Sequence, residues 1–291
     1  MRRLFAVFTM VAVIAVIAPG GLCSAAAIIE RGSSGEAVVD LQKMLKSRGF
    51  DPGSLDGVFG PRTEMAVRSF QEKLGLVVDG IVGPQTAEAL RSDFASRARR
   101  LLAGKTIAVD PGHGGWNSGA VGQGGTREAD NVLAIGLELE RMLKQLGGRV
   151  VMTRRTDKEL TGPGSSDAEE LGARVAVAER ACADMFISIH NNAYEKNPGV
   201  SGAMTFFNSG DESGRLASRL LEGIVGETGL APVGVEWAGF YVLRHSRVPA
   251  TLVEIGFMTN RQDEKALSSS AFRSRAARGL LVGIVEYLGG R

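Results

Sequence analysis

From Lys105 to the C-terminus, short unbroken apolar runs alternate with stretches whose apolar residues recur at helical spacing. No other feature restricts the fold as much. The runs at 106–109, 149–153, 185–189, 203–207, 240–243 and 251–255 are expected strands. The segments 128–146, 169–183, 215–227 and 262–288 are expected helices; Val132, Ile135, Leu139, Met142 and Leu146 line one stripe of the first. Strands that are apolar on both faces must be covered on both. The expected fold class is therefore α/β, a central sheet with helices on each side. In such sheets functional groups gather beyond the carboxyl ends of the strands.

A different organisation precedes it. Residues 56–63 read DGVFGPRT and residues 79–86 read DGIVGPQT, an internal repeat. Asp-Gly makes a turn, Gly-Pro ends a loop, and Thr is the expected cap of the next helix. Helices expected at 36–47 and 63–74 then give a small three-helix unit over about 29–93. With Gly35, Val39, Leu41, Gln42, Leu45, Asp56, Gly57, Phe59, Gly60, Thr63, Ala66, Val67, Phe70 and Gln71 in these places, the segment closely resembles the peptidoglycan-binding type 1 family. That resemblance implies attachment to cell wall without chemistry of its own. The expected division is a helical wall-binding domain at 28–93, a basic linker at 94–104 and a larger domain at 105–291.

Residues 1–27 have the form of a signal peptide. Arg2 and Arg3 precede an apolar stretch, 4–18, broken only by Thr9. It is too short for a comfortable membrane span of about 20 residues, and Ala25-Ala26-Ala27 suits cleavage after Ala27. The expectation is export, to the periplasm or to the cell wall and beyond, with no lasting membrane span. Cleavage would remove Cys23 and leave Cys182 alone, without an internal disulfide, as an expected buried small apolar residue. A net charge of +2 gives no reason to expect nucleic acid as a partner.

The chain has three histidines. His113 lies just past the first expected strand, in Asp110-Pro-Gly-His-Gly-Gly115, and His190 ends the strand 185–190. Glu254 sits inside the apolar run 251–255, where an unpaired carboxylate is costly, and Glu128 opens a helix. Two imidazoles and one carboxylate leave a zinc ion an open position for water, while the remaining carboxylate moves protons.

The stretch from Lys105 onward resembles the zinc-dependent N-acetylmuramoyl-L-alanine amidase family, the type 3 amidase domain. The motifs that carry this are IAVDPGHGG (107–115), READ (127–130), RTD (155–157), ADMFISIHNNA (183–193) and YVLRHSRVPATLVEIGFMTN (241–260). The resemblance implies that His113, Glu128 and His190 bind one zinc per chain and that Glu254 is the catalytic carboxylate. It also implies the bond cut, between the lactyl group of N-acetylmuramic acid and L-alanine of the stem peptide, with peptidoglycan both substrate and anchor. Arg244 is a candidate contact for a substrate carboxylate, and His245 an expected groove or surface residue. No motif names a protein activator. The competing expectations are a glycosidase of the same polymer, which would not need the histidines, and a catalytically silent peptidoglycan-binding protein.

Overall fold

The computed structural model describes residues 28–162, 164–208 and 210–290; the expected signal peptide and Cys23 lie outside them. In the helical module, α1 (Glu36–Ser47), α2 (Pro61–Lys73) and α3 (Pro84–Leu102) enclose Val38, Leu41, Leu45, Phe59, Val67, Phe70 and Leu90. The two repeat copies build the same network. Gln42 donates to Asp56 Oδ1 (3.1 Å), Val58 O (3.0 Å) and Thr63 Oγ1 (3.2 Å), and accepts from Gly57 N at 3.0 Å. Gln71 does likewise with Asp79 (2.8 Å), Ile81 (2.9 Å), Thr86 (3.0 Å) and Gly80 N (2.9 Å). Thr63 and Thr86 are therefore buried acceptors inside their helices, not the expected caps. The helices begin earlier, with Gly60 or Gly83 as N-cap and Pro next, because proline's fixed φ and missing N–H suit the first helical position.

The segment expected as a linker continues α3 as far as Leu102. Phe94, Ala98, Leu101 and Leu102 recur at helical spacing and pack into the core of the larger domain. Arg97 leaves that face to form a two-pronged ion pair with Glu286, at 2.7 and 3.0 Å.

The larger domain contains, in order, β1 (Thr106–Pro111), α4 (Glu128–Gln145), β2 (Arg149–Met152), α5 (Asp167–Arg180), β3 (Met185–Asn192) and β4 (Ala203–Phe207). Then come α6 (Gly210–Thr228), β5 (Pro232–Trp237), α7 (Tyr241–His245), β6 (Ala250–Phe257), α8 (Arg261–Leu267) and α9 (Ser270–Leu288). Among the described residues they form one six-stranded sheet in the order β2-β1-β3-β6-β4-β5. All neighbours are parallel except β4 and β6. Ile107 and Val109 join the core under α4, α6 and α9, while Ala108 joins the core under α5 and α7. Both faces are covered, as the alternation requires.

Three local expectations change. Residues 240–243 are not a strand: α7 begins at Tyr241. A four-residue apolar run carries no periodicity to separate the two states. The strand nearby is β5, whose opening Pro232 and internal Gly234 are tolerated because it is the sheet edge. The expected 262–288 helix is split at Ser268-Ser269 into α8 and α9. Cys182 is exposed, not buried. It follows α5 in a left-handed conformation (φ 47°), the usual place where a helix ends.

Candidate metal centre

β1 and β3 run in parallel and deliver His113 and His190 to the same end of the sheet. His190 and Glu254 are register partners on β3 and β6. Glu128 is the first residue of α4, so its carboxylate sits at the positive end of that helix. Its Oε1 lies 3.1 Å from His113 Nε2 and 2.9 Å from His190 Nδ1. Glu128 is also anchored by backbone, accepting from Asn191 N at Oε1 (3.0 Å) and from Ala120 N at Oε2 (2.9 Å).

The imidazoles are pre-set. Asn117 Oδ1 accepts from Gly119 N at 3.0 Å and faces His113 Nδ1 at 3.0 Å, so Nδ1 must carry the proton there. With Nδ1 so fixed, Nε2 is the nitrogen that faces Glu128 Oε1, hydrogen-bonded to it here and free to give its lone pair to a metal once that proton is lost. The donor atoms of His113, Glu128 and His190 all lie within 4.8 Å of one another. A tetrahedral ion with bonds of about 2.0–2.2 Å holds neighbouring ligands about 3.3 Å apart, so these three fit one such ion.

The two carboxylates differ sharply. Burial would raise Glu128, but the hydrogen bonds with His113 and His190 hold it far below the usual carboxylate range. Burial pushes Glu254 well up, and repulsion from Glu128 adds to that. Glu254 Oε2 is buried and, among the described residues, has no hydrogen-bond partner. An orphaned carboxylate oxygen is costly, and its position beside three metal-type donors marks it as chemically committed.

The His113 loop has no regular structure to hold it, and two buried arginines do so. Arg154 donates to Pro111 O (2.9 Å), Gly112 O (2.7 Å) and Ala129 O (2.8 Å). Arg174 donates to Pro111 O (2.9 Å) and His113 O (2.7 Å) and pairs with buried Asp110 at 2.8 Å. Asp110 also accepts from Thr153 and Ser188, each at 2.7 Å. His113 itself is left-handed, φ 57°, a strain these bonds sustain.

A cavity of about 310 Å³ opens onto His113, His190 and Glu254, with Trp116, Phe240 and Tyr241 also in its wall. The structure thus brings together four of the sequence candidates. Arg244 is not among them: it is exposed on α7 and does not line the cavity, although Tyr241 and Val242 do. His245 stacks on the Tyr241 ring, centroids 3.9 Å apart. Sequence reasoning missed Arg154, Arg174 and Asn117. Asn117 had a signal, four residues after His113 in a glycine-rich loop, whereas Arg174 is indistinguishable from its neighbours in an amphipathic helix.

Comparison with known proteins bears on the whole arrangement. The model of the N-acetylmuramoyl-L-alanine amidase family matches residues 107–286, and that of a peptidoglycan binding domain matches residues 34–90. YqiI of Bacillus subtilis (strain 168) is 37% identical over 195 residues, 66% of this chain and 89% of that protein. The N-acetylmuramoyl-L-alanine amidase LytC of the same organism is 32% identical over 196 residues, 66% of this chain but 37% of LytC. Among solved structures, the N-acetylmuramoyl-L-alanine amidase AmiC2 of Nostoc punctiforme aligns with a TM-score of 0.58 at 36% identity. That alignment covers 64% of this chain and 97% of AmiC2.

Proposed function

We propose a reaction from one premise: the chain belongs to the N-acetylmuramoyl-L-alanine amidase family. It is a cell-wall hydrolase that cuts the amide between the lactyl group of N-acetylmuramic acid and L-alanine of the stem peptide. The observation that carries this is the convergence of His113, Glu128 and His190 on one point, beside the unpartnered Glu254, in one cavity. His113 through Nε2, His190 through Nδ1 and Glu128 through Oε1 would hold a single zinc. Bound there, zinc would supply a Lewis acid and would lower the pKa of a water molecule.

The chain's own groups do the rest. Glu254 takes the proton of the attacking water and delivers it to the leaving L-alanine nitrogen. Its burial keeps bulk water from competing for that proton, and it has no hydrogen bond to give up before accepting one. Asn117 keeps His113 in the ligating tautomer. The intact donor set argues against a silent binder. The helical module attaches the enzyme to insoluble wall, and residues 1–27 direct export. No helix among the described residues is long and apolar enough to cross a membrane.

Mass spectrometry of digested sacculi tests the reaction. Zinc-loaded protein should release stem peptides with free L-alanine amines, and chelation should abolish the release until zinc is restored. New reducing sugar ends, or full activity in a verified metal-free preparation, would contradict it.

A further inference from the structure

The loop that carries His113 also carries Trp116, and that side chain has no structural employment. Its indole is 72% exposed at the wall of the catalytic cavity, and among the described residues it makes no hydrogen bond. The chain's other tryptophan, Trp237, is also exposed, but its indole N–H donates to Asn208 O at 2.7 Å. Large exposed aromatic side chains are informative where they rim a cavity.

The backbone beneath Trp116 is fixed. Gly114 and Asn117 exchange backbone hydrogen bonds of 2.9 and 3.2 Å, closing a tight turn. Gly115 N donates to Asp157 Oδ1 at 2.8 Å and Trp116 N to Glu159 Oε1 at 3.0 Å. His113, Gly114 and Gly115 all take positive φ, which the two glycines adopt without side-chain strain. A rigid turn that displays a bare indole three residues from His113 is pre-organised for contact with whatever binds there.

We propose that Trp116 is a saccharide platform, its indole face stacking on the pyranose ring of N-acetylmuramic acid, on the glycan side of the cleaved amide. This rests on the amidase reading above, which places a sugar on one side of the bond and a peptide on the other. A pyranose presents a face of C–H bonds and keeps its polar groups at the edge, which matches an exposed indole face at the cavity wall. A peptide needs donors and acceptors along its length. The same cavity offers those elsewhere in its wall, at Thr161, Ser165, Ser166 and Asp167.

The test uses the full chain with Trp237→Phe, which leaves Trp116 as the sole tryptophan. The disaccharide of N-acetylglucosamine and N-acetylmuramic acid should change its fluorescence saturably, whereas the free stem peptide at equal concentration should not. In turnover, Trp116→Ala should lower kcat/KM on a muramoyl peptide about five- to tenfold more than on a lactyl peptide lacking the sugar. Trp116→Phe should recover most of that difference. Equal losses on both substrates, emission moved by the peptide alone, or emission unmoved by the disaccharide would overturn the proposal. The titration needs no turnover. If the unsubstituted chain cleaves muramoyl peptide while the indole stays silent, the platform fails and the amidase reading stands. If the indole responds and no amide is cut, the amidase reading fails and only saccharide binding at Trp116 stands.

Discussion

At the scale of single residues, Glu128 and Glu254 show how environment sets two buried carboxylates apart. Glu128 faces two imidazoles and two backbone N–H groups, so its charge is favoured despite burial. Glu254 faces none of these, so burial favours its neutral form and gives it appetite for a proton. The same contacts set a pH dependence. Burial lowers the His113 pKa, but the hydrogen bond with Glu128 outweighs it and the net direction is up from 6.5. In the metal-free protein this proton stabilises the fold below pH 6.5, and that contribution is lost as pH rises through the raised value. A metal must displace the proton, so zinc affinity should begin to fall above pH 6.5 as the solution is acidified. Chelator-competition titrations across that range check this; an affinity that stays level until below pH 6.5 would contradict it.

His190 and Glu254 were legible from their places at the end and in the interior of apolar strands, and His113 from its glycine-rich loop, whereas Glu128, an ordinary residue for a helix's first turn, was legible only through the READ motif at 127–130. Arg244 misled for a physical reason. Residues two apart share a face in a strand but lie about 200° apart around a helix, so α7 turns Arg244 away from the side Val242 shows the cavity. Arg174 and Arg154 were not legible, since their bonds are to loop carbonyls that no side-chain pattern records.

Among elements, the closest packing is between α6 and α9, and glycine makes it possible. A Cβ at Gly279 would stand 2.7 Å from Gly223 O, and one at Gly283 would stand 2.6 Å from Arg219 O. One at Gly223 would overlap the Gly279 carbonyl. Placing alanine at Gly223 would gain about 1 kcal/mol of helix propensity in isolation. Here the rigid backbone opposite cannot yield, so Gly223→Ala should destabilise by about 1–3 kcal/mol net. Urea denaturation measures it, and a stabilised variant would contradict this packing. The sequence showed both helices but not that their backbones touch, because glycine within a helical pattern reads only as a weak position. The strand at the sheet edge was missed for a similar reason, its Pro and Gly masking a segment whose partner β4 supplies the order.

For the whole molecule, the consequence of a continuous α3 is that the helical module and the larger domain share one helix. Ala98 and Leu102 are fully buried in that domain's core, and Arg97 on the same helix pairs with Glu286 of α9. Arg275 on α9 also reaches Glu36 on α1 at 2.9 Å. A chain beginning at Ser92 should therefore cleave a small soluble muropeptide while binding sacculi poorly, since the second attachment is gone. A chain beginning at Leu101 also loses Ala98 and Arg97 and should melt lower by at least about 2–4 °C. Pelleting with sacculi and thermal melts report both; equal sacculus binding by the full and shortened chains would refute the anchoring role. The repeat made the module legible, but the basic run at 97–100 disguised a helix as a linker.

In the proposed reaction Glu254 moves the proton while His113, Glu128 and His190 hold the metal, and two variants separate those roles in one measurement. Zinc content and turnover are determined together on Glu254→Gln and Glu128→Gln. Glu254→Gln keeps the size of the side chain but cannot accept the proton, so zinc should remain while turnover falls by about 100-fold or more. Glu128→Gln replaces an anionic donor with a neutral one and should lose zinc. If Glu254→Gln sheds its zinc while Glu128→Gln keeps both zinc and activity, the assignment is contradicted.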